Sequence, residues 1–293
     1  MTTAEQTITK RKRFKHSFGY YFWHGLVFVW LTIMAAYAVM PIMWMFSTSL
    51  RVPSESFRFP PSFFPTSWKW SNWWEVLTSD IIKYPLFFIN SVKIATLVTT
   101  SQLMLGSMAA FSFARLRYPG RSAIFFVFLA TMMVPSQVTV IPRFIILRTF
   151  GMVDTHWALI IPGLVGAYGV FMLRQFFMTL PGELVEAARI DGAGFFRIYW
   201  RIMLPLIGPA LSALGVFTFL GSWNNFFGGF LFLRSFDKLT LPVALVLLQG
   251  YMGEGSRAHV LAAIMMSIVP VMLVYLFAQR FILRGIALTG LKG

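Results

Sequence analysis

The chain has 293 residues, of which 57% are hydrophobic and only 12% are charged, and its mean hydropathy is +0.70. Because a soluble domain averages about 25% charged residues, this composition excludes an ordinary soluble protein and indicates a membrane protein. The absence of cysteine excludes disulfides, thiol catalysis and cysteine metal sites.

Six apolar segments are long enough to cross a bilayer, which takes about 20 helical residues for a core about 30 Å thick. The predicted spans are residues 25–45, 88–111, 122–141, 157–177, 206–227 and 259–277. No clear small-residue cleavage site follows the first segment, so we expect an uncleaved first span rather than a signal peptide. The predicted fold class is therefore an all-α membrane protein with six transmembrane helices.

The distribution of the +15 net charge predicts the orientation of these spans and argues against nucleic acid as a partner. The segments at the two termini and the loops after spans two and four together hold fifteen Lys and Arg against four acids, whereas the opposite side holds ten against six. Excess Lys and Arg marks the cytoplasmic side. Both termini are therefore predicted to be cytoplasmic, including a basic N-terminal tail at residues 1–18 and the loop between spans four and five.

Two features on the predicted outer side each allow two interpretations. Residues 47–84 carry Trp68, Trp70, Trp73 and Trp74, which suit either an anchor at the membrane interface or a docking surface for an external partner. Lys93 lies near the outer end of span two, where its amine either reaches the lipid headgroups or faces a water-filled path.

The loop between spans four and five, about residues 178–205 and here called the motif loop, contains a spaced pattern. It reads Glu186-Ala187-Ala188, three residues, Gly192, nine residues, and then Ile202-x-Leu204-Pro205. The residue types predict two short helices joined at Gly192, which is suited to a left-handed helix end. We expect the first to start near Pro181 with Thr179 as its cap, and to use Leu184, Ala187, Ala188 and Asp191 as one face. The second is expected from about Phe195 to Met203, with Pro205 opening span five.

This pattern resembles the signature loop of the membrane subunits of ABC importers. The C-terminal sequence RFILRGIALTGLKG, together with Trp223-Asn224-Asn225-Phe226 and Thr240-Leu241-Pro242, resembles the maltose-type carbohydrate-uptake permeases. The resemblance implies that residues 19–293 form a multi-pass permease domain in the bacterial cytoplasmic (inner) membrane. It also implies four kinds of contact: a second homologous permease subunit, two cytoplasmic ATPase subunits, an extracytoplasmic solute-binding protein, and membrane lipid.

Carried onto this sequence, the resemblance predicts two sets of site residues. The residues that couple the chain to the ATPase are expected in the motif loop: Glu183, Glu186, Ala187, Ala188, Arg189, Asp191 and Gly192. The candidate translocation path holds Asn90, Lys93, Trp223, Asn224 and Asn225.

No catalytic residue, metal or cofactor is expected, because the chain has no G-x-x-x-x-G-K-[ST] and no H-E-x-x-H. ATP hydrolysis is therefore expected on a separate subunit, and the substrate is expected to be a sugar or oligosaccharide. External cations such as Lys93 would suit an acidic one, for example an alginate-type uronate, unless they bind headgroups or a partner. The alternatives are an ABC permease for a non-sugar solute and an ion-coupled carrier, although no acid lies in a predicted span.

Overall fold

The computed structural model describes residues 18–52, 55, 63–251 and 257–289, with side chains described only to Arg280 in the last range. In those ranges the chain is helical and contains no β-strand. The predicted tail at residues 1–18 lies outside the described residues except for Phe18, and so do the last four residues of the C-terminal sequence.

Fourteen α-helices follow one another along the described ranges. They are α1 (Phe18–Ser49), α2 (Ser71–Thr78), α3 (Tyr84–Arg115), α4 (Arg121–Ala130), α5 (Val140–Thr149), α6 (Trp157–Ile160), α7 (Ala167–Thr179), α8 (Glu183–Ile190), α9 (Phe195–Ile198), α10 (Leu204–Leu206), α11 (Gly208–Trp223), α12 (Phe226–Phe232), α13 (Leu241–Tyr251) and α14 (Arg257–Thr289). Short 3₁₀ turns follow α4 and α6, and a π-helical turn at Tyr199–Met203 joins α9 to α10.

Four helical stretches of the described residues are long and apolar enough to cross a membrane: Gly19–Ser49, Tyr84–Arg115, Trp157–Thr179 and Arg257–Arg280. The pair Phe195–Leu206 and Gly208–Trp223 makes a fifth if a bend of 79° is allowed within one span. The structure thus confirms an all-α protein with four or five candidate spans. Six spans and the cytoplasmic placement of the termini stay predictions.

Residues 122–141 do not form the continuous third span predicted from their composition. The helix α4 ends at Ala130, a 3₁₀ turn covers Thr131–Met133, and α5 begins only at Val140. The cause is Pro135, because the residue before a proline avoids helical geometry and Val134 is extended at φ −84° and ψ 115°. The shorter apolar helix here, Arg121–Met133, falls below the length of a candidate span.

The fifth predicted span, residues 206–227, also has different ends. The second helix of the motif loop continues through Pro205 to Leu206, and the chain turns at Ile207 before α11 starts with Pro209 in its first turn. Pro205 therefore lies inside the loop helix, and Pro209 takes the position that suits a residue without an N–H. The helix then ends at Trp223, and a second short helix, α12, follows.

The long helix α3 is the centre of the packing, since it contacts α7, α11 and α13, while α14 packs against α11, α13 and α1. Two buried apolar clusters follow α3. One lies towards its Tyr84 end and contains Phe87, Trp223 and Leu241, and the other lies towards its Arg115 end and contains Phe111, Leu173 and Tyr199. The most apolar window of α1 is unburied, so this helix presents its apolar side chains outward.

The short helix α2 is fastened to the end of α1 and leaves an apolar face outside. The buried Asn72 donates hydrogen bonds to the carbonyl oxygens of Ser49 and Arg51, at 2.9 and 2.8 Å. Trp70, Trp74 and Leu77, spaced i, i+4 and i+7, are exposed. This amphipathic arrangement suits the interfacial interpretation of the tryptophan segment, which stays a prediction.

Candidate functional site: the motif loop and a polar cavity

The first helix of the motif loop, α8, separates its residues into a buried and an outward face. Val185 and Ala188, at i and i+3, are buried against the rest of the chain. The opposite face presents the exposed residues Glu183, Glu186, Ala187 and Ile190, spaced i, i+3, i+4 and i+7. Of the predicted face, Leu184, Ala187 and Asp191 are exposed, but Ala188 is not, because it packs inward beside Val185.

The start of α8 differs from the sequence prediction, whereas its end agrees with it. Gly182, and not Thr179, precedes the helix, since the Thr179 hydroxyl bonds back to the carbonyl oxygen of Phe176. At the other end Gly192 adopts the predicted left-handed conformation, with φ +76°. The N–H groups of Ala193 and Gly192 donate to the carbonyl oxygens of Ala188 and Arg189 at 2.9 and 3.0 Å. This pair of bonds is a Schellman motif, and it ends the helix sharply.

The loop is held from beneath by the apolar cluster at the Arg115 end of α3. This cluster joins side chains of three helices with side chains of the loop region: Ala110 and Phe111 of α3, Val170, Leu173 and Phe177 of α7, Ala210 and Leu214 of α11, and Val185, Ala188, Ile198, Tyr199, Met203 and Ile207 of the loop region. A buried hydrogen bond of 2.7 Å joins the Tyr199 hydroxyl to the Ser107 hydroxyl of α3. The guanidinium of Arg115 also donates to the carbonyl oxygens of Phe177 and Leu180, just before the loop begins.

Between these anchors the loop presents charged and apolar side chains outward. Ile190 is 86% exposed and Phe196 is 66% exposed. Glu183 and Glu186 form no ion pair with any described residue, and they lie in the first turn of α8, where the helix dipole favours negative charge. Arg189 stacks its guanidinium over the Phe195 ring at 4.6 Å. The loop is therefore a braced projection with an unpaired acidic and apolar face.

Of the residues predicted to couple the chain to a partner, the structure brings most to the outside of α8. Glu183, Glu186, Ala187, Arg189 and Asp191 are all exposed. Gly192 shapes the end of the helix. Ala188, in contrast, packs into this chain's own core.

A second candidate site is a cavity of about 570 Å³ surrounded by breaks in three helical stretches. Its walls include residues within and after the break before α5, residues of α6 and of the 3₁₀ turn that follows it, and residues on both sides of the junction between α11 and α12. Gly163 in this wall has no side chain, and a Cβ there would lie 3.0 Å from the Val98 side chain of α3. Non-helical backbone in a membrane protein is tolerated where it lines a cavity, which is the arrangement here.

The cavity wall is rich in uncharged polar groups and contains a single charge. Its polar side chains come from Gln102, Ser136, Gln137, Arg143, Thr218, Ser222 and Asn225. Thr218 donates to Gln102 Oε1 at 3.1 Å, and Asn225 Oδ1 caps α12 by accepting from the N–H of Gly228 at 2.9 Å. The amide NH₂ groups of Gln102, Gln137 and Asn225 donate to no described atom. They are available to a ligand that carries oxygen acceptors.

Only Asn225 among the predicted path residues lines this cavity. Asn90 is buried and bridges the carbonyl oxygens of Asp237 and Leu239 at 2.9 and 3.0 Å. Trp223 is buried between Phe88 and Phe219, with ring centroids 5.7 Å away in both cases. Lys93 and Asn224 are exposed outside the cavity wall.

Sequence reasoning did not find the other polar groups of the wall, although one signal was present. Pro135 and Pro162 interrupt predicted spans, and Ser136, Gln137 and Gly163 stand directly beside them. Polar residues next to a helix-breaking proline in an apolar segment indicate backbone that must be satisfied away from lipid. Gln102, Arg143 and Thr218 are brought to the same place only by the tertiary packing.

A multi-helix membrane protein with broken helices around a polar cavity, and with a braced loop projecting from the helix ends, has the architecture of a transport protein. The family model described as the binding-protein-dependent transport system inner membrane component matches residues 102–286. The chain belongs to this family, and it is a multi-pass protein of the inner membrane and a transport component rather than an enzyme. The resemblance seen in the motif loop is thereby confirmed, and the ion-coupled carrier is set aside.

Relatives and a solved structure agree with this assignment. The chain is 33% identical to the arabinooligosaccharides transport system permease protein AraQ of Halalkalibacterium halodurans, over 92% of this chain and 96% of that protein. It is also 33% identical to the diacetylchitobiose uptake system permease protein NgcG of Streptomyces coelicolor, over 90% and 86% of the two chains. A chain of a bacterial ABC transporter involved in the import of the acidic polysaccharide alginate superposes with a TM-score of 0.78, 25% identity, and coverage of 90% and 98%.

Proposed function

We propose that this chain is the transmembrane permease subunit of an ATP-driven, binding-protein-dependent importer of oligosaccharides. The observation that carries the proposal is the motif loop, in which α8 is fastened through Val185 and Ala188 and presents Glu183, Glu186 and Ile190 outward. A rigid projection of this kind transmits a displacement of a bound partner to the helices beneath it, because close-packed elements move together.

The partner that fits this projection is a cytoplasmic ATPase. The chain itself has no phosphate-binding Gly-Lys loop, so the energy of ATP must enter through a contact with another subunit. Two unpaired carboxylates beside an exposed isoleucine suit a groove with an apolar floor and basic or N–H donors at its rim. Two ATPase subunits, a second homologous permease and an extracytoplasmic solute-binding protein complete the proposed complex.

The cavity supports an oligosaccharide as the transported solute. Its volume of about 570 Å³ lies within the range of small-molecule sites, about 300–1,000 Å³. Its amide and hydroxyl groups match the dense hydroxyl groups of a sugar, and its apolar wall residues, such as Leu159 and Phe227, suit the apolar faces of the sugar ring. The named relatives transport arabinooligosaccharides and diacetylchitobiose, which agrees with this chemistry.

Co-purification from the native membrane tests the proposal with a matched pair of charge inversions. Glu186→Lys inverts a charge on the outward face of α8, whereas Asp80→Lys makes the same change at an exposed position before the Tyr84 end of α3. We expect wild type and Asp80→Lys to retain an ATPase subunit, and Glu186→Lys to retain at least about tenfold less, a loss of about 1.4 kcal/mol or more. Equal retention by the two variants, or no ATPase with wild type, would contradict the proposal.

A further inference from the structure

The polar cavity contains one charged side chain, and no acidic residue lines the wall with it. Arg143 lines the wall from the first turn of α5, one helical turn after Val140, which also lines it. None of the cavity-lining residues is acidic, and Arg143 forms no ion pair with any described residue.

The acid that follows Arg143 most closely in sequence is fully engaged elsewhere. The Asp154 carboxylate accepts hydrogen bonds from the backbone N–H groups of Arg234 and Ser235, at 2.9 and 2.8 Å, and pairs with Lys238 at 3.1 Å. The Ser235 hydroxyl donates to it as well, and these bonds hold the pKa of Asp154 well below its usual range. The Asp154 carboxylate therefore joins two loops and forms no ion pair with Arg143.

An arginine without a counter-ion among neutral donors is suited to bind an anion. The guanidinium offers a planar set of donors that matches a carboxylate in two parallel hydrogen bonds. The NH₂ groups of Gln102, Gln137 and Asn225 supply further donors in the same wall, and they suit the hydroxyl oxygens of a sugar ring. A sugar ring that carries a carboxylate as well as hydroxyl groups is a uronate.

We infer that the cavity admits an anionic oligosaccharide built from uronate units, and that Arg143 is the residue that recognises its carboxylates. The inference rests on the proposed function and names its substrate class. Arg143 is exposed at the cavity, so its attraction is moderated by water, which allows a passing sugar to be released as well as bound. Lys93, for which the sequence allowed either a headgroup contact or a place on a water-filled path, lies outside the cavity wall.

Uptake by the reconstituted importer tests the inference with two probes that differ only in charge. The complex of this chain with its partner permease, ATPase and binding protein is placed in proteoliposomes containing ATP. A radiolabelled uronate trisaccharide is compared with the same trisaccharide after reduction of its carboxylates to alcohols. Arg143→Gln removes the charge, Arg143→Lys keeps it without the planar donor set, and Arg148→Gln removes an exposed charge from the same helix outside the cavity.

We expect wild type and Arg148→Gln to take up the uronate trisaccharide, and Arg143→Gln to take it up about tenfold less efficiently. Arg143→Lys should be intermediate, and the penalty of Arg143→Gln should shrink in high salt. Equal uptake by Arg143→Gln and wild type, equal losses in Arg143→Gln and Arg148→Gln, or preferential uptake of the reduced probe by wild type would overturn the inference. Uptake of neither probe by a complex that retains its ATPase would overturn it too, whereas failure of the chain to bind any ATPase overturns the proposed function instead.

Discussion

Two isoleucines of the motif loop provide a test that separates its attachment to this chain from its contact with a partner. Ile198 is fully buried in the cluster at the Arg115 end of α3, whereas Ile190 is 86% exposed on the outward face of α8. Ile198→Ala removes buried carbon atoms worth about 0.8 kcal/mol each and leaves a cavity, so we expect a loss of about 2–5 kcal/mol in stability. Ile190→Ala should change stability by less than about 0.5 kcal/mol.

The two variants are compared in thermal unfolding of the purified chain and in retention of the ATPase. We expect Ile198→Ala to lower the melting temperature by several degrees, and Ile190→Ala to keep the wild-type melting temperature while it retains less ATPase. If both variants melted alike, the assignment of a buried and an outward face would be refuted. If Ile190→Ala retained the ATPase as wild type does, this face would not be the contact.

Three further changes test individual parts of the structure. Asn90→Ala should cost about 1–3 kcal/mol in thermal unfolding, because two carbonyl oxygens lose their shared donor, and it should leave the choice of substrate unchanged. Gly192→Ala should cost about 1 kcal/mol from backbone strain alone, since a Cβ there meets no atom within 4 Å, and a wild-type melting temperature would disprove the left-handed turn. The hydrogen bond with His259, together with weaker ones, lowers the pKa of Glu75 from 4.5 to about 2. Because a lowered carboxyl pKa stabilises the fold above the unfolded-state pKa, the stability advantage of wild type over Glu75→Gln should persist above pH 5 and fall between about pH 4.5 and 2.

Local residue chemistry predicted those parts of the fold that depend on a few neighbouring residues. The end of α8 at Gly192 was predictable because glycine reaches positive φ without a steric cost. The presence of long apolar helices could likewise be predicted from the length of the apolar segments. The buried face of α8 was not predictable, since Leu184 and Val185 are adjacent apolar residues and only the packing of the loop decides which one turns inward.

The cavity lay beyond prediction because its wall is assembled from residues far apart in sequence. Gln102 and Thr218 meet only after α3 and α11 have packed together, and each taken alone looks like a tolerated polar residue in an apolar helix. Pro135 indicates a kink or a break in the third predicted span. Which of the two forms depends on what satisfies the backbone groups that the proline leaves without a partner. In this structure the helix ends before Pro135, and Ser136 and Gln137 in the break line the cavity.

A cross-link from the outward face of α8 to the ATPase would show directly whether this face is the contact. The chain contains no cysteine, so a single cysteine placed by Ala187→Cys carries a photoreactive maleimide at one defined position. Ala188→Cys serves as the control, because that side chain is buried against the chain's own core. We predict that illumination of native membranes joins the label at position 187, and not that at 188, to an ATPase subunit identified by mass spectrometry. Labelling of lipid alone at position 187, or equal cross-linking from both positions, would show that this face of α8 does not contact the ATPase.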